Sequence, residues 1–217
     1  MSNSLQRMRT VPVMVALVII AGTGAAGAAA QSTPAPAAGA TAGQPFYTAA
    51  DVAFMTGMIG HHAQAVLIAG WAPSHGASAS IRAMCERIVV GQQDEITLMQ
   101  RWLRDRHETV PDADASHAMM PGMDQAMMPM MPGMLTAEQL VQLDQARGAE
   151  FDRMFLTFMI QHHQGAIVMV DQLFGSQGAG EEERVFRFAS DVYADQTTEI
   201  DRMQKMLAAL PSAERNP

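Results

Sequence analysis

Cysteine is nearly absent from this chain of 217 residues, which contains a single one, Cys85. A lone cysteine excludes a disulfide within the chain, even in an oxidising compartment that would permit one. Cys85 lies in a helical apolar pattern with Ile81, Ile88 and Val89. We therefore expect a buried and inert thiol rather than a reactive one.

Basic residues are also few, with 14 Lys and Arg against 22 Asp and Glu and a formal net charge of −8. Such an acidic protein repels phosphate groups, which argues against nucleic acid as a partner. The sequence contains no phosphate-binding loop, nucleophile constellation or cofactor motif, so ordinary hydrolases and nucleotide-dependent enzymes are disfavoured. The lack of these motifs favours a binding protein, although an enzyme stays open as an alternative.

Methionine is abundant, with 20 residues, while aromatic residues make up only 6% of the chain. Methionine packs into irregular gaps in protein cores, which is one explanation for the excess. Its thioether is also a soft metal ligand, which is the other. Composition alone does not decide between these two interpretations.

The first thirty residues have the pattern of a secretory signal. Arg7 and Arg9 precede a short apolar run at 11–20, and three alanines end at Ala30. The run is shorter than the ~20 residues that a membrane span needs, so a signal peptide over 1–30 is favoured over an uncleaved anchor. We expect a periplasmic or secreted protein with no membrane span after cleavage.

A leader rich in Ala and Pro follows at 31–46, and hydrophobic periodicity then predicts an all-α domain over 47–210. Pro and Gly residues concentrate between the periodic segments, which marks where the helices end. The expected helices cover residues 47–71, 78–106, 135–147, 149–174 and 181–210.

The two halves of this domain are copies of one unit. A His-His pair occurs at the same place in each half, and the motif Gln-x-x-Glu-Ile-x-x-Met follows at 92–99 and again at 196–203. Repeat one covers 48–106 and repeat two covers 136–210, which indicates a duplicated helical hairpin. Two hairpins bury their apolar faces against each other most simply as a ferritin-like four-helix bundle. The two pairs are His61-His62 and His162-His163.

Helical geometry directs both pairs towards the bundle interior, because they flank Met58 in one helix and Met159 in the other. Four buried imidazoles need partners, since an unpaired buried polar group costs several kcal/mol. One explanation is a hydrogen-bonded core network with the repeated glutamates and glutamines as partners. The other, which we favour, is a metal site. The partners available are Glu95, Glu199, Gln92 and Gln196.

Imidazole and thioether ligands together suit copper, particularly Cu(I). Met99 and Met203 lie one helical turn beyond Glu95 and Glu199, so all four side chains are candidate ligands beside the histidines. Zinc ranks second because it usually takes Cys, His and carboxylate ligands rather than Met. Iron ranks third because the helices lack the Glu-x-x-His motif of di-iron bundles.

A Met-rich insert at 107–134 joins the two repeats. Segments broken by Pro and Gly cannot bury so many apolar side chains as a core, so we interpret the insert as a copper-capturing segment, with low-complexity drift as the alternative. Thioethers also avoid the disulfide exchange to which thiols are prone in an oxidising compartment. The candidate ligands are His117, Met119, Met120, Met123, Met127, Met128, Met130, Met131 and Met134.

The duplicated His-His segment, the Gln-x-x-Glu-Ile-x-x-Met motif and the Met-rich connection resemble the domain-of-unknown-function 305 family over about 48–210. The resemblance implies a ferritin-like four-helix fold, export and, for some members, periplasmic copper binding linked to copper tolerance. It points to the four histidines together with Met58 and Met159.

Three functions remain open at this point. The first is copper storage, buffering or delivery, with a metal ion and, for delivery, a copper-handling protein as partners. The second is a metal-dependent oxidase, which needs an open coordination position. The third is a metal-free bundle that binds protein partners through adaptable methionines.

Overall fold

The computed structural model describes residues 46–114 and 131–211. Within these ranges every regular element is an α-helix and none is a strand, which confirms the all-α prediction. The signal peptide predicted at 1–30, nearly all of the leader and most of the Met-rich insert lie outside the described residues. The helices are α1 (Ala49–Gly70), α2 (Ala79–Asp105), α3 (Ala137–Gln145), α4 (Ala149–Gly175) and α5 (Glu183–Ala209).

Polar side chains fix where several of these helices begin. The Thr48 hydroxyl accepts from the Asp51 amide, while the Asp51 carboxylate accepts from the Thr48 amide at 2.7 Å, which forms a capping box before α1. The same arrangement precedes α3, at the pair Thr136 and Gln139 where the sequence predicted it. At α5, the Glu182 side chain caps the helix by accepting from the Val185 amide.

The helices form two hairpins, α1 with α2 and α4 with α5, which meet along α1 and α4. This is the arrangement expected from the sequence duplication. The short α3 packs on α4 and completes the connection between the hairpins. Because α1 and α4 form the centre, α2 and α5 lie on the outside, where a groove separates them.

Among the helices that the structure describes, one, α1, is long and apolar enough by composition to cross a membrane, with a mean hydropathy of 1.3 over its most apolar window. That window is 61% buried within the fold. A central helix of a water-exposed bundle has the same properties, so the burial accounts for the composition without a membrane.

Pro73, Ser74 and Gly76 predict an exposed turn around His75. The structure instead buries His75, so that prediction is wrong. Its Nδ1 lies 2.9 Å from the Trp71 carbonyl oxygen, and its Nε2 lies 3.0 Å from the carbonyl oxygen of Asp144. The Gly148 amide also donates to the His75 carbonyl oxygen at 2.8 Å. His75 therefore links the turn of the first hairpin to the junction between α3 and α4, a long-range contact that local sequence does not reveal.

The prediction for Cys85 is confirmed. The side chain is buried on the inner face of α2, and burial raises the pKa of its thiol to about 12, with a smaller contribution from Asp152. A thiol with so high a pKa carries almost no thiolate near neutrality and is a poor nucleophile.

The end of the Met-rich insert forms a strap, residues 131–135, that crosses α1 and α4. The Gln64 side chain pairs with the backbone of Leu135, accepting from its amide at 2.8 Å and donating to its carbonyl oxygen at 3.1 Å. Gly165 of α4 allows the strap to approach, because a Cβ there would overlap the Pro132 carbonyl and lie 2.5 Å from Gly133 Cα. The strap is therefore held by specific contacts with both central helices.

Replacing Gly165 with alanine should displace the strap and lower the free energy of unfolding by about 1–3 kcal/mol, the usual cost of overpacking. Urea denaturation measures the change. The matched control is Gly91→Ala, also within a helix, because a Cβ there meets nothing within 4 Å. That control should gain about 0.5–1 kcal/mol from helix propensity. Equal stability of both variants would contradict the close contact at Gly165.

Candidate metal centre

Four imidazoles meet where α1 crosses α4, and all four residues have 0% exposure. The pairs face each other across the two helices as predicted, with the rings of His61 and His162 only 3.8 Å apart between centroids and tilted by 38°. Within each pair the rings are farther apart, at 6.3 Å in α1 and 6.2 Å in α4. Adjacent residues on each helix thus direct one ring to the opposite pair and one towards the outer helix.

The outer rings bond to glutamates in the same way in both repeats. His62 Nε2 lies 2.6 Å from Glu95 Oε2, and His163 Nε2 lies 2.7 Å from Glu199 Oε2. A carboxylate can only accept, so each Nε2 carries the proton in a neutral ring and each Nδ1 has a free lone pair. The repeated Glu-Ile-x-x-Met segments of α2 and α5 therefore bring a carboxylate to the outer histidine of each hairpin.

The inner rings differ, because the strap reaches only one of them. His61 Nε2 lies 3.1 Å from the Pro132 carbonyl oxygen, which again assigns the proton to Nε2 and the lone pair to Nδ1. Neither ring nitrogen of His162 has a hydrogen-bond partner among the residues that the structure describes. The Pro132 contact was not anticipated, since no sequence pattern indicates which backbone carbonyl will reach a distant side chain.

Buried nitrogens without partners are concentrated at this crossing. Within the described ranges, Nδ1 of each of the four histidines and Nε2 of His162 have no hydrogen-bond partner. Each such atom costs about 1–3 kcal/mol when buried, so a cluster of them indicates a site that is completed by something else. If the histidines belonged to a hydrogen-bonded core network, both the glutamates and the glutamines would bond to them. The glutamates do, but Gln92 bonds to no described residue.

Burial keeps the inner imidazoles neutral. Burial first, and the neighbouring His62 second, lower the pKa of His61 from 6.5 to about 3. The pKa of His162 is also lowered well below 6.5, by burial and then by His61. A neutral imidazole has the lone pair that metal coordination requires.

The candidate thioethers divide evenly between the repeats. Met58 and Met99 lie in one apolar cluster and Met159 and Met203 in the other, and all four have 0% exposure. Across the part of the chain that the structure describes, no three His, Cys, Asp or Glu side chains are placed to hold one ion. An ion held here would therefore need thioether donors as well as imidazoles.

Two of the candidate ligands of the Met-rich insert are described. Met131 and Met134 are half-buried in the strap, and Met131 Sδ packs over Gly57, 3.2 Å from where a Cβ would lie. The other insert ligands lie outside the described residues, so their relation to the four histidines stays a prediction. They are His117, Met119, Met120, Met123, Met127, Met128 and Met130.

The model of the family described as Domain of unknown function (DUF305) matches residues 51–207, and the chain therefore belongs to this family. The match covers both histidine pairs and the whole region between them. Among proteins with curated functions, none matches the chain.

Several solved structures are similar to this fold. A DUF305 fragment from Deinococcus radiodurans has a TM-score of 0.63 and 25% identity, covering 76% of this chain and 100% of the fragment. A DUF305 protein from Streptomyces coelicolor has a TM-score of 0.61 and 24% identity, covering 73% of this chain and 92% of that protein. CopM in its Cu(II)-bound form has a TM-score of 0.55 and 25% identity, covering 73% of this chain and 95% of CopM. CopM has also been solved with Cu(I) and with silver.

Stability of the metal-free protein should fall in acid because His61 resists protonation. Between pH 6.5 and about 3 the unfolded chain binds a proton that the folded chain does not, so the free energy of unfolding decreases as pH falls. One such histidine accounts for about 3 kcal/mol between pH 7 and pH 4.5. The variant His61→Gln keeps a donor for the Pro132 carbonyl. In urea denaturation, its free energy of unfolding should fall by about 3 kcal/mol less between pH 7 and pH 4.5 than that of the unmodified protein.

The matched control for this measurement is His107→Asn, since His107 is exposed and has φ 58, which asparagine tolerates. Its pH dependence should equal that of the unmodified protein. If His61→Gln also left the pH dependence unchanged, His61 would titrate normally in the folded protein and the neutral inner pair would be refuted.

Proposed function

We propose that this protein binds copper, chiefly as Cu(I), inside the helical bundle, and that it stores or buffers the metal. The observation that carries the proposal is that Nδ1 of each of the four histidines at the crossing of α1 and α4 is buried without a partner among the described residues. Neutral imidazole nitrogen is a good copper ligand, and a lone pair without a hydrogen bond is ready to coordinate without first losing a partner.

The other ring nitrogens support this role. Ligating histidines almost always donate their second N–H to a carboxylate or a backbone carbonyl, which fixes the tautomer and the ring orientation. Glu95, Glu199 and the Pro132 carbonyl provide this bond for three of the four rings. In this proposal the glutamates orient the outer histidines and are not themselves copper ligands.

Thioether donors favour copper over the other metals. Met58, Met99, Met159 and Met203 are fully buried in the two apolar clusters, on the same four helices as the histidines and glutamates. Soft sulfur donors select Cu(I), whereas zinc and iron sites in helical bundles use carboxylates directly. The similarity to CopM, which was solved with copper and with silver, agrees with a preference for soft ions.

The remaining parts of the chain fit a protein that handles copper outside the cytoplasm. We assign 1–30 as a signal peptide that directs export, which places the domain where copper tolerance is needed and disulfides form. We assign the Met-rich insert as an accessory segment that captures Cu(I) for the bundle. Delivery to a copper-handling protein would use the same exchange of sulfur ligands.

Removing the outer histidines should weaken copper binding. In His62→Asn/His163→Asn we expect the Cu(I) affinity to fall roughly hundredfold or more, since even residues that only orient ligands cost 10–100-fold. An anaerobic competition titration against a chromophoric Cu(I) chelator measures it. The control is His107→Asn, because His107 is exposed and has φ 58, which asparagine tolerates. Equal affinities in both variants would refute a bundle site.

The same titration separates ligands from orienting residues. Glu95→Gln/Glu199→Gln keeps the size of the side chains but weakens the bond to each imidazole. A loss of roughly tenfold is expected of an orienting role. A loss as large as that of the histidine variant would make the glutamates copper ligands instead.

Removing most of the insert should lower the copper stoichiometry without abolishing the tightest site. Replacement of residues 115–130 by a Gly-Ser linker leaves the strap in place, so His61 keeps its bond to Pro132. Thioethers do not titrate in mild acid whereas imidazoles do, so the shortened protein should also retain less Cu(I) at acidic pH. Loss of the tightest site would instead place the main copper site in the insert.

A further inference from the structure

A groove of about 340 Å³ lies between the outer helices α2 and α5. Its walls are built from equivalent positions of the two repeats, with Gln92 and Glu95 on α2 opposite Gln196 and Glu199 on α5. The duplicated Gln-x-x-Glu sequence thus presents two carboxylates and two carboxamides to one space. Asp195 adds a third carboxylate, while Arg87 and Arg202 also line the groove.

The two glutamines are unusual because their carboxamide oxygens are buried without partners among the described residues. Gln92 and Gln196 are each only 3% exposed although they line the groove. Within 46–114 and 131–211, neither the amide nitrogen nor the oxygen of Gln92 has a hydrogen bond, and the oxygen of Gln196 has none either. A buried carboxamide normally finds partners, so two of them beside one cavity indicate a ligand that supplies the missing contacts.

The groove also has free carboxylate oxygens. Glu95 and Glu199 each contact a histidine through Oε2, which leaves Oε1 of each side chain for another partner. The groove is lined by three carboxylates and two guanidinium groups, so its charge is negative. Burial first, and then the charges of Glu95 and Glu199, raise the pKa of Asp195. The Arg87 guanidinium donates to the Met84 sulfur rather than to any of these carboxylates.

We infer that this groove is a second cation site, built from oxygen donors, which takes a hydrated divalent cation of the Mg²⁺, Ca²⁺ or Mn²⁺ type. The protein donors are Oε1 of Glu95 and Glu199 and the carboxamide oxygens of Gln92 and Gln196, with water completing the coordination. Two carboxylates balance the charge of a divalent ion. Hard cations prefer such oxygen ligands, whereas Cu(I) prefers the nitrogen and sulfur donors beneath.

Manganese is the probe for this site, because Mn²⁺ prefers oxygen ligands and its electron paramagnetic resonance signal distinguishes free from bound ion. Titration of the metal-free protein with MnCl₂ should show a single saturable site. Substoichiometric Mn²⁺ should broaden the amide resonances of Gly91 and Thr198, which line the groove. Broadening centred on acidic residues elsewhere, or the absence of saturable binding, would overturn the inference and leave a water-filled groove.

The decisive variant is Gln92→Leu/Gln196→Leu, which removes both carboxamides. Mn²⁺ affinity should fall roughly tenfold, since two of the four protein donors are lost. Thermal stability should not fall, because replacing an unpartnered buried amide with an apolar side chain of similar volume is close to neutral. The matched control is Gln93→Leu/Gln204→Leu, two exposed glutamines on the same helices, which should bind Mn²⁺ as the unmodified protein does.

A second variant tests the same inference if Gln92→Leu/Gln196→Leu does not fold. Gln92→Glu/Gln196→Glu adds two carboxylates to the groove and should tighten Mn²⁺ binding, whereas unchanged affinity would overturn the inference. Cu(I) titration of the leucine variant separates this site from the copper proposal. Loss of Mn²⁺ with Cu(I) affinity retained is expected, and loss of both would mean that the donors belong to one shared site.

Discussion

The contact between an imidazole and a carboxylate, made once in each hairpin, is the interaction on which the rest of this structure depends. A histidine with 0% exposure needs a partner for its N–H, and in each repeat the outer helix provides one from a glutamate. Because the Glu must reach the His across the hairpin, the bond also fixes the register of α2 on α1 and of α5 on α4. Packing and the chemistry of the centre are therefore set by one requirement.

The strap makes two equivalent repeats unequal. His61 and His162 occupy matching positions, yet only His61 receives the backbone carbonyl of Pro132. Gly165 permits this approach on α4 and Gln64 anchors it on α1, so both central helices take part. In the copper proposal this bond orients the His61 ring, whereas no described residue provides a matching bond for His162. The duplicated scaffold thus presents two inner histidines with different hydrogen bonding.

Much of this arrangement was accessible from the sequence because its causes are local. Helical periodicity, the capping box at Thr136 and the repeated motif predicted the helices and their pairing, and the 3.6-residue period placed the histidines inside. His75 was misplaced because its partners at Asp144 and Gly148 are distant in the chain. The strap and the groove were missed for the same reason, since each depends on how separate helices approach one another. Gly165, within α4, indicated that another segment packs closely there, but the sequence did not show which segment.

Under the two metal proposals, the glutamates lie between the copper centre and the groove. Each carboxylate contacts an imidazole through Oε2, and the same two residues line the groove together with Gln92 and Gln196. The buried Nδ1 atoms and the thioethers are soft donors, whereas the carboxylates and carboxamides are hard ones. An ion in the groove would compete electrostatically with positive charge in the centre, yet it would not compete for the same lone pairs. The repeated Gln-x-x-Glu motif, whose residues lie one helical turn apart, is sufficient to produce this division because both side chains share one helix face.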